Sequence, residues 1–114
     1  MTLEFIYEQD FKRIIPAVVN DSRQYIPQTK DQIGNVIKAY SDSQISMIGS
    51  GDIVYKLETP TGNLAGYVAL RVVGGIANIY LYQFRPAFIS FSAEILGLIA
   101  NFITSNKWRD DYLV

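Results

Sequence analysis

Three β-rich runs separated by two short turns occupy residues 53–84, and that spacing leaves few ways for the chain to fold. Ile53–Glu58 puts Ile53, Tyr55 and Leu57 on one side of an extended strand. Pro60, Thr61, Gly62 and Asn63 supply turn chemistry, because glycine and asparagine tolerate positive φ. Leu64–Val73 is the second run, and Ile76–Phe84 is the third. Between these two, Gly74-Gly75 suits the primed turns that match strand twist. Connections this short join antiparallel neighbours, so the spacing predicts a three-stranded meander.

The flanking segments read as one strand and three helices. Leu3, Phe5 and Tyr7 alternate with Glu4, Ile6 and Glu8, the pattern of a short strand. Asp10 is placed to cap a helix carrying Phe11, Ile14, Ile15, Val18 and Val19, in which Pro16 must kink the helix or shift its start. Thr29 and Gln32 have capping-box spacing, and Ile33, Val36, Ile37 and Tyr40 follow on one helical face. Residues 41–51 read as a loop, with Ile45–Ile48 open to a short strand or turn.

Pro86 stops the third meander strand, and Ser90 or Ser92 can cap a last helix running to about Asn106. Its apolar set, Ile95, Leu96, Leu98, Ile99, Ala100, Phe102 and Ile103, is wider than one face, which implies deep burial or a second subunit. Gly97 lowers helix propensity there and points to something packed close against it. The tail after Asn106 has room for at most a partial strand. The predicted class is α+β: an antiparallel three-stranded meander plus an N-terminal strand, two N-terminal helices and one C-terminal helix, in the order β-α-α-β-β-β-α.

Composition narrows the chemistry. At 114 residues the chain is a single domain by length. It has no cysteine and no histidine, which removes disulfides, thiolate and imidazole metal sites, cysteine nucleophiles and the Ser-His-Asp hydrolases. No metal is expected. Ten Lys and Arg balance eleven Asp and Glu without clustering, so the basic stripe that nucleic-acid binding needs is missing. The N-terminus has no basic start followed by an apolar run, and a cytoplasmic location is expected. Residues 86–106 are long enough to span a bilayer, but Ser90, Ser92, Glu94, Asn101 and Asn106 favour a heavily buried helix and no membrane.

Several residues carry a functional reading beside a structural one. Tyr80 and Tyr82 are placed on one strand face with Asn78 and Phe84, either as a proton-donating row or as an aromatic ladder. Ser90 and Ser92 can receive phosphate or simply cap the helix, and Glu94 can act as a general base or complement the helix dipole. Ile48-Gly49-Ser50-Gly51 imitates a phosphate loop, yet it precedes a strand, which favours a plain connection. Glu58 and Arg71 are candidates for a cross-strand pair.

The element order resembles the first two-thirds of the GNAT superfamily of acyl-CoA N-acyltransferases. Gly66-Tyr67-Val68-Ala69-Leu70 is similar to that family's third strand, and Ile79-Tyr80-Leu81-Tyr82-Gln83-Phe84-Arg85-Pro86 to its fourth. The resemblance implies acetyl-CoA as donor and a primary amine as acceptor. The acyl group then passes directly between them, so no enzyme nucleophile is needed. It places the cofactor along the backbone of Tyr82, Gln83 and Phe84, with Ser90 and Ser92 at the phosphates. Tyr80 or Tyr82 becomes the proton donor to the leaving thiolate. The stretch 88–94 carries no glycine, and little chain follows the last helix, so the likeness is to a truncated or degenerate member. A non-catalytic module that homodimerises through the last helix or an open sheet edge is the alternative.

Overall fold

The computed structural model describes residues 2–21 and 30–113, the side chains of 30–37 excepted. Four strands, β1 (Glu4–Tyr7), β2 (Ile53–Glu58), β3 (Leu64–Val73) and β4 (Ile76–Phe84), form one antiparallel sheet in the order β1-β2-β3-β4. The meander forms as its turns predict, with Gly62, Gly74 and Gly75 at positive φ. Helices α1 (Phe11–Asn20) and α2 (Lys30–Met47) precede β2. A 3-10 helix, Pro86–Phe91, leads into α3 (Ser92–Thr104), and α4 (Trp108–Tyr112) follows. The class is α+β, in the expected order with the 3-10 helix and α4 added.

Two cores lie on opposite faces of the sheet. On one face Ile14, Ile15, Val18 and Val19 of α1 meet Val54, Tyr67, Ala69 and Leu81. On the other Ile95 and Ile99 of α3 and Trp108 of α4 meet Ile53, Tyr55, Leu57, Val68, Leu70 and Phe84. Both faces of β2 and β3 are therefore buried, which explains why these strands read as nearly continuous apolar runs rather than as strict alternation.

The local reading needs several corrections. Asp10 makes no side-chain cap; its own amide donates to Glu8 Oε1 at 3.0 Å. The segment read as a loop from Ser41 is helical to Met47. Tertiary contacts hold it there: Ile45 and Ile48 pack on the α1-side core, and the buried Tyr67 hydroxyl donates to Gln44 Oε1 at 2.9 Å. The tail is helix rather than strand, because the Trp108 ring is buried and its indole N–H donates to the Ile103 carbonyl at 3.0 Å. Glu58 and Arg71 do not pair, since Glu58 sits opposite Leu64 and Arg71 opposite Asn78; Glu58 meets Lys56 at 3.1 Å instead. Thr29 lies outside the described residues, as do the side chains of Gln32, Ile33, Val36 and Ile37, so the capping box and that apolar face are not described, while the helix itself is present from Lys30.

The Tyr67 bond is a measurable tie between α2 and the sheet. Tyr67→Phe keeps the ring but leaves the buried Gln44 carbonyl without its donor, and is expected to cost about 1–2 kcal/mol in urea denaturation. A cost near zero would mean that this bond does not hold the helix.

The last helix is far less buried than its composition implies. Pro86–Thr104 is long and apolar enough to cross a membrane, yet only 11% of that stretch is buried. Ile95 and Ile99 face the sheet, while Ile89, Phe91 and Leu96 are 54%, 41% and 37% exposed. Gly97 is exposed as well, and a Cβ added there would meet nothing within 4 Å. Nothing in this chain, among the described residues, uses the space that Gly97 leaves.

Candidate functional site

The functional reading centres on the end of β4 and the helical segment after Pro86. β4 is an edge strand: among the described residues its outer side has no strand neighbour. The register against β3 slips between Ala69 and Leu70, which pair with Leu81 and Ile79, so Tyr80 is an extra, bulged residue. The bulge divides the aromatic row. Asn78, Tyr80, Leu81 and Gln83 fall on the α1 side, whereas Ile79, Tyr82 and Phe84 fall on the α3 side. Tyr80 and Tyr82 therefore do not share a face, contrary to strict alternation, which one inserted residue inverts.

Their surroundings differ accordingly. The Tyr80 hydroxyl donates to Asp52 Oδ2 at 2.8 Å, and the Arg71 guanidinium lies over its ring, 4.4 Å from the centroid. Burial, then donation to Asp52, pushes the Tyr80 phenol well above its ordinary value. Tyr82 is 49% exposed and tilts against Phe84, with ring centroids 5.6 Å apart. Phe84 is buried in the α3-side core. Gln83 turns to the other face, where its Oε1 accepts from the Tyr40 hydroxyl at 3.1 Å.

Neither serine caps α3 by its side chain. The residue before the helix is Phe91, which makes no cap; the Ser92 hydroxyl donates to the Ile89 carbonyl, and Ser90 is exposed. The 3-10 turns run straight into α3, and the Ser92 amide donates to the Ile89 carbonyl too. Glu94 stands in the first turn of α3, exposed and with contacts of its own. Arg85, which closes β4, is held by Asp21 at 2.8 Å and donates to the Leu64 carbonyl at 3.2 Å.

Two further clusters escaped the sequence reading. Asp52, with its side chain 7% exposed, accepts from Arg71 Nη2 at 2.7 Å, from the Gly49 amide at 2.9 Å and from Tyr80. The 48–51 turn, which imitates a phosphate loop, thus gives an amide to the chain's own carboxylate. On the opposite face Tyr55 donates to Asp111 of α4. Partners this distant in sequence leave no local signal. A concavity of about 220 Å³ lies between β1 and α3, lined by Phe5, Leu98, Asn101, Phe102, Ser105 and Lys107. It sits at the β1 edge of the sheet, away from Tyr82. Among the described residues no group of His, Cys, Asp or Glu could hold a metal.

No protein-family model matches the chain, and no curated protein matches it. Among solved structures it is similar to a GNAT-family acetyltransferase from Staphylococcus aureus Mu50, at 11% identity and a TM-score of 0.47. That likeness covers 92% of this chain and 68% of the other.

Proposed function

We propose that this chain is a GNAT-like domain that takes an acyl-CoA thioester, with acetyl-CoA the first ligand to test, along the outer edge of β4 at Tyr82, Gln83 and Phe84. The single observation behind this reading is the edge itself. β4 has no strand neighbour among the described residues at the point where it runs through Pro86 into a helix. Its free backbone amides and carbonyls are suited to the amide-bearing arm of such a thioester, as to any strand-like ligand.

Tyr82 is the phenol available on this path. Tyr80 lies on the other face and is committed to Asp52. In the catalytic form of the proposal the nitrogen of a primary amine bonds to the thioester carbonyl carbon, the carbon–sulfur bond breaks, Tyr82 gives its proton to the departing sulfur, and the proton shed by nitrogen as the amide forms restores the phenol. The hold on the diphosphate is weak by construction. Ser92 already spends its proton on Ile89, Arg85 is paired with Asp21, and Ile89 and Phe91 line the turn.

Calorimetry with acetyl-CoA tests the binding reading. It predicts a saturable heat with a dissociation constant on the order of 0.1–1 mM, or roughly 4–5.5 kcal/mol of binding. Absence of heat at millimolar ligand overturns it.

A further inference from the structure

We propose that the concavity between β1 and α3 binds a small organic monocarboxylate carrying one phenyl-sized apolar group. Its apolar wall is held by the packing around it. Phe5 and Phe102 stack in parallel with ring centroids 4.5 Å apart, and the buried Tyr55 meets Phe102 edge-on at 4.8 Å. Leu98 completes the apolar lining. The volume, about 220 Å³, exceeds the roughly 150 Å³ that admits benzene in an apolar protein cavity, which leaves room for one ring and a short acidic arm. The other side of the lining, Asn101, Ser105 and Lys107, is exposed, so a charged end seated there loses little hydration.

This polar side selects an anion of single charge. Lys107 stands there with no carboxylate partner among the described residues. Its neighbours fix its place: Asn106 takes φ 60, a left-handed turn that asparagine tolerates, and the indole N–H of the buried Trp108 donates to the Ile103 carbonyl at 3.0 Å. Arg109 is turned elsewhere, over the Trp108 ring and onto the Gly75 carbonyl. Asn101 adds a side-chain amide as a second donor. Ser105 is not a donor to the ligand, because its hydroxyl goes to the Phe102 carbonyl at 2.6 Å. No Asp or Glu lines the concavity. Asp111 is taken by Tyr55, and Glu4 alternates to the face of β1 opposite Phe5. One cation and one amide match a carboxylate, whereas a phosphate monoester calls for arginines or a nest of backbone amides. The site lies at the β1 edge, so the inference stands independently of acyl-CoA binding at β4.

Backbone amide NMR of the whole labelled chain with phenylacetate tests it, and phenylacetamide, an uncharged analogue of nearly the same shape, is the control. Phenylacetate raised to roughly 10 mM is expected to give saturable shifts at Leu98, Asn101, Phe102, Ser105 and Lys107, with a dissociation constant on the order of 1 mM. Phenylacetamide should bind about twofold to fivefold more weakly. Lys107→Gln should weaken the acid by the same factor and leave the amide unchanged. Asn101→Trp, at an exposed helical position, should lay a ring across the concavity and abolish both titrations while keeping the wild-type circular dichroism. Absence of saturable shifts at the top of the range overturns the proposal, as does an acid that binds no better than its amide. So does a K107Q that binds the acid like the wild type, or a folded N101W that still binds it.

Discussion

Gly66→Ala should destabilise the fold by about 3 kcal/mol and lower the thermal midpoint by roughly 10 °C, one of the largest effects expected from adding a single methyl here. Gly66 pairs with Phe84 across β3 and β4. A Cβ at this position would lie 2.8 Å from Phe84 Cδ1 and closer still to the carbonyl oxygen of Gln83. The second neighbour is backbone, so no side-chain rotation relieves the clash and the strands must separate locally. The missing methyl lets the Phe84 ring lie over β3 and join Leu57 and Ile95 in the core. Gly66 therefore positions residues 82–84, the segment proposed to meet the thioester. Thermal denaturation followed by circular dichroism measures the effect, and a change below about 1 kcal/mol would mean that β4 leaves Gly66 more room than this register allows.

Asp52→Ala is the second large effect, expected at about 2–3 kcal/mol. It removes one acceptor from Arg71, the Gly49 amide and the Tyr80 hydroxyl together, releasing the turn between α2 and β2. Arg71 is partly exposed and can turn to water, which keeps the cost below that of a fully buried ion pair. Burial alone would push the Asp52 carboxyl up. Hydrogen bonds from Arg71, the Gly49 amide and Tyr80, together with the Arg71 charge, outweigh burial and hold it below its ordinary value of 3.8. A carboxyl depressed in the folded state stabilises fully above its unfolded pKa, and this contribution fades as pH falls through the lower folded value. Wild type should therefore lose part of its margin over D52A below about pH 4, and the two stability curves should converge there. Parallel curves down to pH 2 would contradict this assignment. Asp52→Asn separates the terms, since it keeps the shape and removes the charge.

The sheet was legible because its evidence is local. Two glycine-bearing turns and three β-rich runs force an antiparallel meander whatever else the chain does. The bulge at Tyr80 was not legible, because an inserted residue leaves the apolar pattern of Ile76–Phe84 almost unchanged while reversing the faces beyond it. α2 was read too short for a related reason. Ser41, Ser43 and Ser46 lower its helix propensity, and the contacts that overrule them, Tyr67 with Gln44 and Ile45 with the core, come from β3 and α1. Gly97 was read as a sign of close packing, yet among the described residues the space over it is open. The exposed face of α3 is visible only once both cores are seen to be filled by other residues.

The site itself was half legible. The passage from β4 through Pro86 into a helix is written in the sequence, as is the lack of glycine in 88–94. The sequence does not reveal that Tyr80 is engaged by Asp52, that Ser92 is turned onto Ile89, or that Gln83 reaches Tyr40. These contacts divide the candidates, leaving Tyr82 and the backbone of β4 as the part open to a ligand. Binding through main-chain groups would also ask little of the side chains in 88–94.

The most direct test is a titration of isotopically labelled protein with acetyl-CoA, followed by backbone amide NMR. Saturable shifts concentrated at Tyr82, Gln83, Phe84, Ser90 and Ser92 are the predicted result. A spectrum unmoved at millimolar ligand, or shifts gathered instead around Phe5, Leu98 and Lys107 at the opposite edge of the sheet, would contradict it.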